Sequence, residues 1–149
     1  VELVGKICGI KPFLLDESRM NVDFDVRTVT RLFHETLAKV IFKKGLFVEE
    51  VGEGEHKQDI TIRGRFVQID KGNRFLRYFL NALSLLKGKA VLEVSAEVLV
   101  GDRRVACLQT KSTGWNGFIG GGARGLLKYC AKTAAKKTGK QIIRALKKE

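Results

Sequence analysis

The chain has one proline, one tryptophan, one methionine, two histidines and three cysteines among 149 residues, and these shortages exclude several classes of protein. A single proline beside 44% hydrophobic residues argues against a disordered or linker-like chain and describes one domain with a sizeable buried core. The cysteines Cys8, Cys107 and Cys130 are odd in number and far apart. That fits neither a disulfide framework nor the paired spacing of a zinc site, and buried thiols are expected. No run of 18 apolar residues occurs, so no helix is expected to span a bilayer. The first residue is Val1 rather than methionine, which leaves room for a secretory or lipoprotein signal upstream.

Catalytic signatures are equally scarce. A relay or a metal site needs several groups that converge, whereas the only histidines are His34, expected on a helix surface, and His56, expected in a solvated loop beside Glu53 and Glu55. Gly120, Gly122 and Gly125 satisfy GxGxxG, but a dinucleotide site needs that motif after the first strand of a βαβ unit. Here the chain ends after the helix, so the glycines are assigned to a turn. No GxxxxGK[ST] run is present. No catalytic residue, cofactor site or metal ligand is expected, and the chain is read as a non-enzyme.

What is abundant is positive charge. The net charge is +12, and residues 119–149 hold nine Lys/Arg against one acid, a local net of +8. Such asymmetry implies an acidic partner: an anionic membrane surface, an acidic protein or, less readily, nucleic acid. Leu127, Ala131, Ala134, Ile142 and Ala145 form the inward stripe of a helix from about residue 122 to 147, with Lys128, Lys132, Lys136, Lys140 and Arg144 facing outward. Gly139 is expected to weaken it by about 1 kcal/mol relative to alanine. The bland alternative for the lysine face is solvation alone. Nucleic-acid binding normally adds stacking aromatics, and this helix offers only Tyr129.

The remaining elements follow from hydrophobic period. Residues 1–14 suggest a first strand ending near Pro12. Val29, Leu32, Phe33, Leu37, Val40 and Ile41 mark a helix with Asp25 as its N-cap. A short strand at 46–51 leads to an acidic loop, and Ile60, Ile62, Gly64 and Phe66 alternate with polar residues in the next strand. The clearest alternation runs from Ala90 to Val100, followed by a Gly101-Asp102 turn and a return strand to about Thr113. The expected fold is α+β: a mixed sheet of about five strands with two main helices on one face, the second long and basic.

Two loops stand out. Phe75, Leu76, Phe79, Leu80, Leu83 and Leu86 crowd a dozen positions between strands, and hairpin geometry brings them to the same end of the sheet as Trp115, Phe118 and Ile119. Either the two loops cap the core against each other, or they form an exposed apolar patch that serves as a subunit interface or a membrane contact. Asp70, Gly72 and Asn73 carry turn chemistry. Arg74 and Arg77 have the forked geometry that binds anions, but are assigned to bracing the loop against Asp70 or Glu93.

The run Asp70 to Phe79, DKGNRFLRYF, with GKAVLEV from Gly88 and the turn at Gly101-Asp102, resembles a bacterial family of unknown function whose members are mostly small exported proteins, many of them predicted lipoproteins. The Gly-Asn-Arg-x-x-Arg-Tyr-Phe block is the specific part. In this chain Leu80 to Lys87 stands where a short glycine-rich link is expected. The element order is also similar to the anticodon-binding-like fold of the Tol translocation protein amino-terminal domain and the curli secretion-channel family. The resemblance implies a cell-envelope location, in the periplasm or at the outer membrane, and no known enzymatic activity. The function expected from all of this is assembly or docking, through a protein partner or homo-oligomer, with nucleic-acid or polyanion binding as the alternative.

Overall fold

The structure, a computed structural model, describes residues 3, 5–16, 24–43, 47–49, 59–70, 90–114 and 123–148. In chain order the elements are β1 (Lys6–Ile10), α1 (Phe24–Phe42), β2 (Phe47–Glu49), β3 (Ile60–Asp70), β4 (Ala90–Val100), β5 (Arg103–Gly114) and α2 (Ala123–Lys147). They build a five-stranded sheet of order β2-β1-β3-β4-β5. The β1 strand runs parallel to β2 and β3, whereas β3, β4 and β5 are antiparallel. Both helices pack on one face, so the expected α+β architecture is the one observed.

Side-chain alternation explains the sheet. In β4, Ala90, Leu92, Val94, Ala96 and Val98 are buried toward the helices, while Glu93, Ser95 and Glu97 face the other side and are half-buried. A strand with one apolar face can keep only one register, since a slip of one residue would expose the whole set. Gly101 has φ 63°, the left-handed conformation that a tight hairpin turn demands and that glycine adopts without a steric penalty. Asp59 ties β1 to this turn. Its carboxylate accepts from the Ile7 N–H at 2.9 Å, and its carbonyl accepts from the Gly101 N–H at 2.9 Å.

The helices meet at a glycine. Val29, Phe33, Leu37 and Ile41 of α1 are buried, as are Leu127, Ala131, Ala134, Ala135, Ile142 and Leu146 of α2. Gly139 faces α1 so closely that an added Cβ would lie 2.5 Å from a Val40 methyl. The residue expected to be a weak point is thus the crossing point: the absence of a side chain lets two helices approach. Small and hydroxylic residues do the same toward the sheet, where Thr138 donates its hydroxyl hydrogen bond to Thr110 at 3.1 Å, both buried. Two boundary expectations change. Ala145 is only half-buried, and α1 starts at Phe24, which places Asp25 in the first turn rather than at the cap. A carboxylate there still meets the positive end of the helix dipole.

His34 is not the surface residue its helical position suggested. After Ile10, which pairs with Ile62, the chain reaches a bridge from Leu14 to Arg65. Four steps along the first segment match three along β3, so one residue is extra. This bulge falls at Pro12-Phe13, where proline supplies no N–H for the ladder. The displaced Phe13 N–H donates to His34 Nε2 at 2.9 Å, and the Phe13 ring packs on Phe33 and Phe66 in the core. With Nε2 accepting from the Phe13 N–H and a backbone hydrogen bond to Thr30, the imidazole is neutral. Burial lowers its pKa, opposed by the Thr30 bond. Helical periodicity alone gives no sign of a strand segment arching over one flank of α1.

Candidate functional site

The cationic face is built by two helices rather than one. Lys128, Lys132, Lys136, Lys140 and Arg144 of α2 are all exposed, as expected from their spacing. They follow each other at i and i+4, which stacks them along one side of the helix. No Asp or Glu occurs anywhere in α2. Each neighbouring pair of like charges at this spacing costs about 0.2–0.5 kcal/mol of helix stability. The stripe is therefore an unfavourable arrangement in the isolated chain, and an opposing acidic surface would relieve it.

Beside this stripe the helices enclose an open groove of about 710 Å³, floored by Val40, Phe42 and Ala38 and edged by Lys39, Lys43 and Lys136. The close approach at Gly139 is what brings the α1 lysines to the α2 row. Lys39 and Lys43 lie outside the sequence-based set, which is confined to α2. Only the packing of two helices shows that their charges share a face. Their i, i+4 spacing with no acid between them was the available signal. Glu35, one turn before Lys39, pairs with Arg31 at 3.9 Å. Tyr129 is 38% exposed and is the single aromatic on the α2 surface.

The candidate interface residues Phe75, Leu76, Phe79, Leu80, Leu83, Leu86, Trp115, Phe118 and Ile119 lie outside the described residues, as do Gly72, Asn73, Arg74, Arg77, His56, Gly120 and Gly122. Their anchors are described. Asp70 pairs with Val91, and Ala90 pairs with Gly114, so the first loop leaves and re-enters the sheet, and the second leaves it, at one end, as hairpin geometry predicts. The start of α2 belongs to the same end, since the Cys130 thiol donates to the Ala90 carbonyl at 3.8 Å. Of the acids considered as brace partners, Glu93 accepts from Gln109 Nε2 at 2.7 Å.

The thiols divide two to one. Cys8 and Cys130 are buried as expected, whereas Cys107 is exposed on β5. The reason is register: Cys107 sits opposite Glu97, on the solvent side of the sheet. Burial pushes the Cys8 thiol up to about 12 and raises that of Cys130, where a Ser112 hydrogen bond acts in the opposite direction. Both are held as unreactive thiols near neutral pH. Among the described residues no three His, Cys, Asp or Glu side chains gather as a metal-ligand set, and no described helix is long and apolar enough to cross a membrane.

A family model described as a domain of unknown function, DUF4410, matches residues 17–141. The chain belongs to that family. No curated protein matches it. Among solved structures it is similar to the hypothetical protein CT253 of Chlamydia trachomatis, at 5% identity over 93% of this chain and 96% of that one, with a TM-score of 0.60. Protein XCC0632 of Xanthomonas campestris, assigned to the DUF330 family, is similar at 6% identity, 99% and 88% coverage and a TM-score of 0.61. The PelC dodecamer of Paraburkholderia phytofirmans is similar at 10% identity, 89% and 87% coverage and a TM-score of 0.55. Identities this low relate the folds alone.

Proposed function

We propose that this chain is a non-catalytic docking protein of the cell envelope, which assembles with itself or a partner while its helix layer faces an acidic surface. The observation that carries the reading is the two-helix cationic face: an α2 stripe without a single acid, extended by Lys39 and Lys43 across the groove. A solvated face gains nothing from stacking like charges at i, i+4, whereas a face that meets anionic headgroups gains about 1 kcal/mol per lysine near the surface. The envelope location is supported by the resemblance to exported proteins carried by the Asp70–Phe79 block. The Paraburkholderia dodecamer is a precedent for this fold in an assembly and supports the self-association half of the reading.

The test is size exclusion with light scattering at low and high salt, with and without vesicles of anionic lipid. Salt-sensitive vesicle capture is expected, together with an oligomer that Phe79→Ser and Leu83→Ser dissociate without unfolding the chain. A monomer that ignores the vesicles at every salt concentration overturns the reading. Capture of nucleic acid in place of lipid, with the same salt dependence, would transfer the cationic face to the alternative partner.

A further inference from the structure

The solvent side of the sheet, opposite the helices, holds a second feature that the docking face does not use. The bulged segment Lys11–Leu14 forms one wall of a pocket of about 470 Å³ over Arg63, Arg65 and Cys107, within the range of small-ligand sites. The charges here are organised. Glu97 is held by Arg63 Nε and lies 3.7 Å from Arg104 Nη1, so its carboxylate is already shared between two guanidinium groups. Lys11 and Arg65 also line the pocket, and among the described residues neither has an ion-pair partner. One side is thus a lysine and a forked guanidinium available to an anion.

The other side is apolar. Leu14 is 71% exposed because the bulge turns it out beside Arg65 while Phe13 enters the core. A lone exposed leucine means little. This one is fixed at the rim by backbone bonds on both sides: its N–H donates to the Gly64 carbonyl at 3.0 Å, and its carbonyl accepts from the Phe66 N–H at 2.9 Å. Pro12 continues the apolar wall. Gly64 keeps the segment close, since an added Cβ would meet the Phe13 ring at 2.8 Å.

We propose that this pocket binds a small amphiphilic anion, a carboxylate or phosphate head on a short alkyl chain, with Arg65 and Lys11 holding the head and Leu14 and Pro12 the chain. The site is independent of the helix layer and goes beyond the docking role. Cys107 is its built-in reporter, because it lines the pocket while Cys8 and Cys130 are buried.

The experiment follows alkylation of the native protein by iodoacetamide, a neutral reagent, in the presence of octanoate, octyl phosphate, inorganic phosphate or octanol. Octanoate, octyl phosphate or both should slow Cys107 modification at least about fivefold at sub-micellar concentration, with octanol and inorganic phosphate far less effective; which amphiphile protects decides the head group. Arg65→Gln should raise the amphiphile concentration needed for half-protection about tenfold, the loss expected for a charge-assisted contact. Leu14→Ser should weaken it without changing the far-UV circular dichroism. Lys136→Gln, on the helix layer, should leave it unchanged. The proposal is overturned if neither amphiphile protects, if inorganic phosphate alone protects as well, or if Arg65→Gln, folded by circular dichroism, is protected like the wild type.

Discussion

The two outer surfaces of this molecule use similar side chains to opposite effect. On the helix layer, Lys128, Lys132, Lys136, Lys140 and Arg144 repel one another along a helix that contains no acid. On the open side of the sheet, acids are interleaved with cations: Arg63 and Arg104 flank Glu97, and Gln109 satisfies Glu93. Around Glu97 the sheet surface pairs its charge within the chain, so the electrostatics of that cluster belong to the monomer. The helix surface keeps its charge unspent, and a charge that raises the free energy of the lone chain is useful only when something of opposite sign arrives. Packing reinforces the contrast, because Gly64 and Gly139 bring neighbours together in the sheet and helix layers respectively.

Substitution at these two glycines should give the largest effects and separate the layers. Gly64→Ala would place a Cβ 2.2 Å from the Ser95 carbonyl oxygen, a backbone atom that cannot move without breaking the β3–β4 ladder. A loss of about 3 kcal/mol is expected in urea unfolding. Gly139→Ala meets the Val40 side chain at 2.5 Å, but alanine regains about 1 kcal/mol of helix propensity. Its net cost should be about 1 kcal/mol, and equal losses at the two sites would erase the distinction between a rigid and a yielding neighbour.

Reversing charge on the helix layer should sharpen the comparison in a less usual way. The double variant Lys132→Glu, Lys140→Glu turns four repulsive i, i+4 neighbours into attractive ones, for a gain of about 2–4 kcal/mol. The variant should be more stable than the wild type while losing vesicle capture. A drop in stability would mean that the lysine stripe is already neutralised within the chain. On the sheet side, Glu97→Gln should change stability by less than about 1 kcal/mol, as partly exposed ion pairs usually do.

His34 gives the comparison a pH dependence. Its folded pKa is depressed by burial, so the unfolded chain binds the proton more readily than the native one. The associated stability is complete above the unfolded value of about 6.5 and is lost as pH falls toward and below the depressed folded value. Protonation also abolishes the acceptor that holds the Phe13 N–H. Urea midpoints should therefore fall between pH 7 and pH 5, and His34→Gln should flatten that part of the curve. An unchanged slope in the variant would show that the imidazole does not secure the bulge.

What the sequence disclosed were the features that depend on near neighbours in the chain. The period-two pattern from Ala90 to Val100, the Gly101-Asp102 turn and the i, i+4 lysines each encode their own geometry. The features it concealed arise where distant segments meet. Gly139 looks like a flaw until Val40 is placed against it. His34 looks solvated until Pro12 interrupts a ladder 22 residues earlier and a displaced N–H needs an acceptor. Lys39 and Lys43 look like the end of one helix until a second helix lies beside them, and Cys107 looks like a core thiol until the hairpin register assigns it to the solvent side. The apolar loops at 75–86 and 115–119 are legible as composition, and their common end of the sheet follows from the register of β4 and β5.

The central claim is that the helix layer carries charge reserved for an acidic surface. Its most direct test is the partition of the wild type, the Lys132→Glu, Lys140→Glu variant and Arg65→Gln onto anionic vesicles across a salt series. The account predicts steep, salt-sensitive binding by the wild type and by Arg65→Gln, and binding at least about tenfold weaker by the helix-layer variant. Binding that ignores salt, or that survives charge reversal on α2, would contradict it.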